Sequence, residues 1–463
     1  MAALLLPMFF AMASNTMVLT GLPQIMADLH GTQTQYSWIV TTSLLVLTVA
    51  TPVWGRLADR ADRRALLRNA CLIYAAGSTA AGLAPDPWVI VACRVLIGIG
   101  AGGIVTLTQL VGTSLTDEVE RPRFFGSLGA VMAVATVVAP ALGGLVVNLG
   151  GWRWTFWATV PLAVLAVALI QAGIPPAPAA AGTGAPFDLA GTVLVVVTAL
   201  LAMVWITVIG PQPGWASAPS LTVLVVLAAL TALAVILARR APAPLVPPHL
   251  LANAQLVKVL VASAAVGVVT FATSVYLSLY LQSARDYSAG TSGLLLVPMA
   301  VTTLAGSLAA GRVISATRRD KQVLLAGSAA TLLGLIPLCL LGTATSAAVV
   351  AAAGALIGLG LGCTSQQLVV TAQRHLAAAD IGVGSSLVLF VRSLATVLCL
   401  SAFGVVVAAA LPGHDALTGY TTGIRYVFQV TGVIAVAGTI ALLSLRAPVR
   451  PTTPEEIACP TPR

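Results

Sequence analysis

The sequence is poor in charge. Only 8% of its 463 residues are Asp, Glu, Lys or Arg, whereas soluble chains carry about 25%. That shortage excludes an ordinary soluble protein and leaves little polar material for a separate soluble domain. Acidic residues are the scarcer sign, 14 against 23 basic. Every one falls in a connection or at the end of an apolar run: Asp28, Asp59, Asp62, Asp86, Asp117, Glu118, Glu120, Asp188, Asp286, Asp320, Asp380, Asp415, Glu455 and Glu456. No apolar run has a carboxylate or a histidine at its centre. His30, His249, His375 and His414 lie in connections, without a partner at ligand spacing. Cys71, Cys93, Cys339, Cys363, Cys399 and Cys459 are scattered with no CxxC, so neither a disulfide framework nor a metal site is expected. No GxxxxGK[ST] occurs. No polar stretch exceeds about twenty residues, too few for a nucleotide-binding domain. Without a Ser/His/Asp or Cys/His arrangement there is no catalytic residue to nominate. The chain reads as no enzyme, needs no cofactor, and has to draw its energy from a gradient.

What remains is apolar sequence, 58% of the chain. A helix needs about 20 such residues to cross a bilayer. Runs of that size lie near 4–26, 37–55, 66–84, 88–110, 124–148, 154–172, 188–209, 219–238, 256–281, 290–314, 323–342, 346–369, 382–410 and 424–445. The first lacks the basic lead-in of a signal peptide and is too long for one, so it reads as a span. Of the 23 basic residues, Arg94 and Arg392 fall within spans, and Arg153, Arg285 and Arg425 fall on one face. The other eighteen share the opposite face, which is the cytoplasmic one by the positive-inside rule. Both termini are then cytoplasmic, in the cell membrane. The same bias explains the net +9 without nucleic acid as a partner. Trp38, Trp88, Trp152, Trp154 and Trp157 stand at outer helix ends, where an interfacial belt belongs.

The sequence also repeats. "GRLADRADRR" (55–64) follows the second run, and "GRVISATRRD" (311–320) the tenth. "LIGIGAG" (96–102) lies in the fourth, and "LIGLGLG" (356–362) in the twelfth. The offsets are 256 and 260 residues. The expected fold is therefore an all-α integral membrane protein of about fourteen helices. It has two six-helix bundles, related by a pseudo-twofold repeat, and two inserted helices. The expected divisions are 1–172, 173–255 with the inserted pair, 256–446, and a tail from 447 to 463. The Pro- and Ala-rich stretches 175–186 and 239–248 read as linkers. Parallel repeats of six helices describe one large class of secondary transporters, with a site near the midplane.

The turn "GRLADRADRR" carries the densest signal. Gly55 permits close backbone approach at a helix end. Asp59 can cap a helix or accept from an arginine. Arg63 and Arg64 can bridge carboxylates or helix C-termini across a bundle interface, and Arg60 belongs to the same cluster. Such a cluster can act as a cytoplasmic gate; the alternative is a plain positive-inside loop. In "APALGG" (139–144), Pro140 bends the helix while Gly143 and Gly144 let a partner approach. A sliding surface between bundles and ordinary helix packing are both open readings.

These motifs resemble those of the major facilitator superfamily. The 55–64 turn is similar to its signature loop, with Asp62 where Gly is usual. "RVLIGIGAGG" (94–103) resembles its fourth-helix motif, with Arg94 in the Arg position and Ile97 where Gln is common. "APALGG" resembles the antiporter motif, with Ala139 in the first Gly position. "GGWRWTFWATVP" (150–161), "YLSLYLQ" (276–282) and "YSAGTSGLLLVP" (287–298) extend the likeness. With fourteen spans, the resemblance is to the fourteen-helix drug:proton antiporter branch. It implies export of amphipathic small molecules in exchange for protons, by a monomer. A same-fold transporter of a nutrient or metabolite is the alternative.

Few polar groups fall inside spans, and each has two readings. Arg94 can face a cavity or snorkel to the surface. Arg392 can face substrate or hold helix carbonyls. Thr273, Tyr276 and Tyr280, at i, i+3 and i+7 on one face of the ninth helix, and Gln109, Ser365, Gln366 and Gln367 can line a cavity or bond between helices. Asn15, near the midplane of the first span, stands where the resembled branch typically has a carboxylate. With Arg94 and Arg392 the only intramembrane charges, the site is expected to prefer neutral or anionic amphiphiles.

Overall fold

The computed structural model describes residues 1–175, 189–205, 214, 215, 217–240, 248–342, 345–377, 380–410 and 416–446. Most of the two expected linkers and the whole tail from 447 lie outside these. The described residues are helical and include no strand. In order they form α1 (Ala2–Asp28), α2 (Gln33–Ala58), α3 (Arg63–Gly82), α4 (Pro87–Leu115), α5 (Arg121–Gly150) and α6 (Trp154–Gly173). Then come α7 (Leu189–Val204) and α8 (Ala218–Arg240). The second set is α9 (Ala254–Ala284), α10 (Ala289–Thr317), α11 (Asp320–Cys339), α12 (Ala347–Gln373), α13 (Ile381–Ala410) and α14 (Ala416–Leu443).

Among the described residues eleven helices are long and apolar enough to cross a membrane, and α5 makes twelve if its bent halves are one span. The count stops short of the expected fourteen at α3 and α7. Arg63, Arg64, Arg68 and Asn69 lower the hydropathy of α3, and α7 has only 16 residues. Several helices start on short polar side chains, which satisfy otherwise unpaired N–H groups. Asp62 accepts from Arg64 N–H, Asp86 from Trp88 N–H ahead of Pro87, and Asn253 from Gln255 and Leu256 N–H. Two of the fourteen carboxylates thus sit at helix starts because they cap them.

The first and second sets of six pack alike. Helices α1 and α5, α2 and α4, α3 and α4, and α3 and α6 are neighbours; so are α9 and α13, α10 and α12, α11 and α12, and α11 and α14. The glycine repeats explain the tightest of these. Gly98 and Gly102 lie against the α2 backbone at Ser43 and Leu47, and Gly100 against α3 at Ala70 and Tyr74. Their counterparts Gly358 and Gly362 lie against α10 at Met299 and Thr303, and Gly360 against α11 at Gly327. A side chain at any of these would push the helices apart.

The two sets meet along α2–α13 and α5–α10. We call the end holding the 55–64 and 311–320 turns the basic end. There one apolar cluster runs through both sets, from Leu67, Leu107, Leu110 and Phe124 to Leu368, Val369, Val383 and Leu387. Nearer the far end the second set has a cluster of its own around Tyr276, Tyr280, Ile357 and Phe428. The inserted helices α7 and α8 pair with each other, and α7 leans on α2. Val196 and Leu200 of α7 cover the α2–α13 seam at Leu45, Val49, Leu394 and Val397. Trp152 departs from the expected belt. It is 1% exposed, and its indole N–H donates to Asp28 Oδ2 at 2.9 Å, which plugs it into the bundle. Trp88 and Trp154 remain exposed at the far end.

Candidate functional site

The gate motif lies where α2 ends against the start of α13. A Cβ on Gly55 would overlap Ser386 Oγ and come within 2.9 Å of the Gly382 carbonyl. Gly55 and Gly382 therefore let two backbones touch. Asp59 closes α2 and faces the N-terminus of α13, beside Gly382 and the Val383 N–H. Burial pushes its carboxyl up to about 6, against the pull of Arg63 and Arg56. Arg63 stays local, with Nε donating to the Ala58 carbonyl at 3.1 Å and an Asp59 contact at 3.8 Å. Arg64 donates to the Gln171 carbonyl, at the end of α6. Neither of these two arginines crosses between the sets; Asp59 and Gly55 make the crossing contact. Arg60 sits in the turn after α2. Asp62, where the resembled loop has Gly, caps α3.

The partner seam, α5–α10, is as close. Gly126 and Gly311 bring their backbones together, and Ser307 Oγ donates to the Gly126 carbonyl at 2.9 Å. Between the seams, α4 and α12 meet through Thr113 and Gln373, which sequence reasoning did not pick out. The Gln373 amide donates to Thr113 Oγ1 at 3.1 Å and to Ser385 Oγ at 3.0 Å. Thr113 and Gln373 are 260 residues apart, the offset of the glycine repeats, and that spacing was the available signal. Gln367 donates to the Pro122 carbonyl at 3.0 Å, and Arg374 reaches Glu118 at 3.7 Å. Arg374 also pairs with Asp320. Gln366 donates to Met132 Sδ of α5. Gln109, one turn from Thr113, is 1% exposed with neither amide atom hydrogen-bonded among the described residues.

"APALGG" sits elsewhere than between the sets. A Cβ on Gly143 would overlap Thr20 Oγ1 of α1, in the same set, and Gly144 has nothing within 4 Å. In this conformation Gly143 belongs to tight α1–α5 packing within the first set. Pro140 does bend α5: the segments 121–136 and 138–150 meet at 41°. Proline removes the bond to the carbonyl four residues back and crowds it, which is Thr136.

Deeper in, Arg94 turns inward instead of snorkelling. It is 1% exposed. Its Nε donates to the Ile39 carbonyl at 3.1 Å and Nη1 to Asn15 Oδ1 at 3.3 Å. Ser43 Oγ donates to the same Asn15 oxygen at 3.1 Å. Asn15 thus joins α1, α2 and α4 through one acceptor. Arg392, in α13, donates from Nε to Ser263 Oγ at 3.1 Å and from Nη2 to the Ser365 carbonyl. Ser365 lies between the two helical parts of α12, Ala347–Thr364 and Gln367–Gln373.

The α9 residues do not present one open face. Two π-helical stretches, Ala272–Tyr276 and Tyr280–Ala284, change its register. Thr273 donates to the Val269 carbonyl, and Tyr280 to the Gly342 carbonyl at 2.8 Å. Tyr276 is 4% exposed and stacks edge-on against Phe271 and Phe403.

Comparison with known proteins agrees with this architecture. The chain is 30% identical over 404 residues to an uncharacterised MFS-type transporter of Mycobacterium tuberculosis, covering 87% of this chain and 58% of that protein. It therefore spans less than two thirds of that relative. It is 26% identical over 407 residues to the multidrug transporter protein MdtP of Bacillus subtilis, covering 88% and 74%. It is 31% identical over 327 residues to the efflux pump FUS6 of Gibberella moniliformis, covering 68% and 57%. The crystal structure of the human organic anion transporter MFSD10 superposes with a TM-score of 0.63 at 15% identity, covering 94% of this chain and 98% of that one. At that identity the likeness is one of fold. The family model described as Major Facilitator Superfamily matches residues 4–400, and with two matching sets of six helices behind it, this chain belongs to that superfamily of membrane transporters.

Proposed function

We propose that the protein exports amphipathic small molecules across the cell membrane by alternating access between its two halves. One observation carries this reading: buried polar and glycine contacts join the halves at the basic end. With fourteen spans, the arginine distribution places both termini, and with them the basic end, in the cytoplasm. The conformation is then closed inward, as it is when an exporter releases outward. Such contacts gate transport only if they differ between two states. Hydrogen bonds and glycine contacts can part and re-form between such states, and the apolar cluster shared by the two sets at this end has to part with them. The efflux names of several relatives and the likeness of "APALGG" to the antiporter motif support export.

Protons are the proposed coupling ion. Asn15 cannot titrate, so the proton site is assigned to Asp59, whose carboxyl burial pushes up to about 6. The protein works as a monomer in this reading. The test is flux of amphipathic dyes in proteoliposomes, with and without a pH gradient. Gradient-driven flux is expected. Equal flux without a gradient removes proton antiport, and no flux of any dye removes the exporter reading.

A further inference from the structure

The two intramembrane arginines differ in a way that bears on the substrate. Arg94 is 1% exposed and held between α1 and α2 of its own half. Arg392 stays partly exposed. Its two acceptors are neutral, the Ser263 hydroxyl and the Ser365 carbonyl. Among the described residues no carboxylate lies within ion-pair distance of either guanidinium. A charge within the bilayer costs about 2.5–3.5 kcal/mol on insertion scales, and neutral acceptors offset that only in part. An approaching anion gains from such a charge; an approaching cation is repelled.

The same α9–α13 seam carries an aromatic cluster packed into the core of the second set, with Tyr276 4% and Phe403 2% exposed. Gly267 lets α9 lie against the Arg392 backbone. Eleven residues farther along α13, roughly 16 Å at the helical rise, Phe403 packs on Tyr276 with ring centroids 5.8 Å apart. Tyr276 in turn meets Phe271 at 6.1 Å. The seam thus runs from the partly exposed Arg392 to that aromatic cluster.

We infer that the transported compound is an amphipathic organic anion, a carboxylate or sulfonate, and that its acid group is received by Arg392 and not by Arg94. This rests on the exporter reading above and narrows its substrate class. The apolar body of the compound lies toward Phe271, Tyr276 and Phe403 only when that packed cluster opens. Arg94 is a structural charge that ties three helices of the first half.

The test uses the full chain in lipid nanodiscs, with empty nanodiscs subtracted. The probes are 8-anilinonaphthalene-1-sulfonate and N-phenyl-1-naphthylamine, which share a body and differ in the acid group. The wild type is expected to bind the sulfonate at least tenfold more tightly than the amine. Arg392→Gln is expected to weaken the sulfonate tenfold or more and leave the amine unchanged, a loss of about 1.4 kcal/mol or more. If Arg392→Gln does not fold, Arg392→Lys and Ser263→Ala serve, each with a severalfold loss for the sulfonate alone. Equal binding of the two probes by the wild type overturns the inference, as does sulfonate binding that none of these substitutions changes. Absence of dye flux in proteoliposomes bears on export, whereas the binding comparison decides the anion site.

Discussion

The two halves share a scaffold and differ in what they place on it. Both use three glycines at matching positions to bring α4 onto α2 and α3, and α12 onto α10 and α11. On that frame the first half carries Arg94, where the second has Gly354, and Asp59, where the second has Ser315. The first half has a buried charge tied by Asn15 and a closely packed Phe10–Tyr74 ring pair. The second keeps a small cavity of about 30 Å³ between α9, α11, α12 and α14, lined in part by Ser328, Thr331, Thr364 and Thr439. That is room for about one water. A duplicated frame thus supplies shape, and departures from duplication supply chemistry.

The largest expected effect breaks the frame where the halves touch. Gly55→Val inserts bulk between α2 and α13, and Gly311→Val does the same between α5 and α10. Each is expected to lower dye efflux more than tenfold in cells with normal protein levels. If only Gly55→Val does so, the two seams are not equivalent. Next is the unequal pair of positions 94 and 354. Arg94→Met leaves Asn15 with Ser43 alone and is expected to cost about 1–3 kcal/mol, read as a clear fall in melting temperature. Gly354→Ala has 3.6 Å to its nearest neighbour, Met299, and is expected to be neutral.

The third prediction concerns pH at Asp59. Its carboxyl is raised from 3.8 to about 6 in the closed form. The closed form thus holds its proton more tightly than an exposed carboxyl does. The resulting stabilisation is complete below the ordinary carboxyl value and is lost as pH rises through about 6. Moving from pH 7.5 to 5.5 is expected to close the basic end, read by labelling of a cysteine placed in the α2–α13 seam. Asp59→Asn is expected to stay closed at both pH values. Unchanged pH dependence in that variant assigns the effect to another group. The smallest effect is expected at Tyr280. Tyr280→Phe removes one hydrogen bond to the Gly342 carbonyl, about 1 kcal/mol, with dye affinity unchanged. A loss of affinity would return Tyr280 to the substrate path.

Much of the frame was legible because membrane helices obey few rules. Span length, arginine bias and the glycine repeats are local or periodic properties. Side-chain direction is neither. Thr273, Tyr276 and Tyr280 looked aligned at helical spacing, but two π-helical stretches shift them. Gly143 could equally face the other bundle or its own, and here it packs against α1. Trp152 has the composition of a belt residue, yet Asp28 supplies a buried acceptor 124 positions away. Gln373 carried no motif at all; its partner is visible only through the repeat offset. Local sequence reports what a residue is, and a distant acceptor decides where it turns.

The Thr113–Gln373 bridge has a consequence for how this chain can change over time. A residue on a pseudo-twofold axis meets its own counterpart, so the two positions are chosen as a pair. An ancestral duplicate would have faced itself there with identical side chains. Here one copy holds a short hydroxyl and the other a long amide, joined by a hydrogen bond of 3.1 Å. Neither half can be exchanged at this point without its counterpart. Among descendants of such a chain, positions 113 and 373 are expected to vary together, with the summed length of the two side chains held nearly constant.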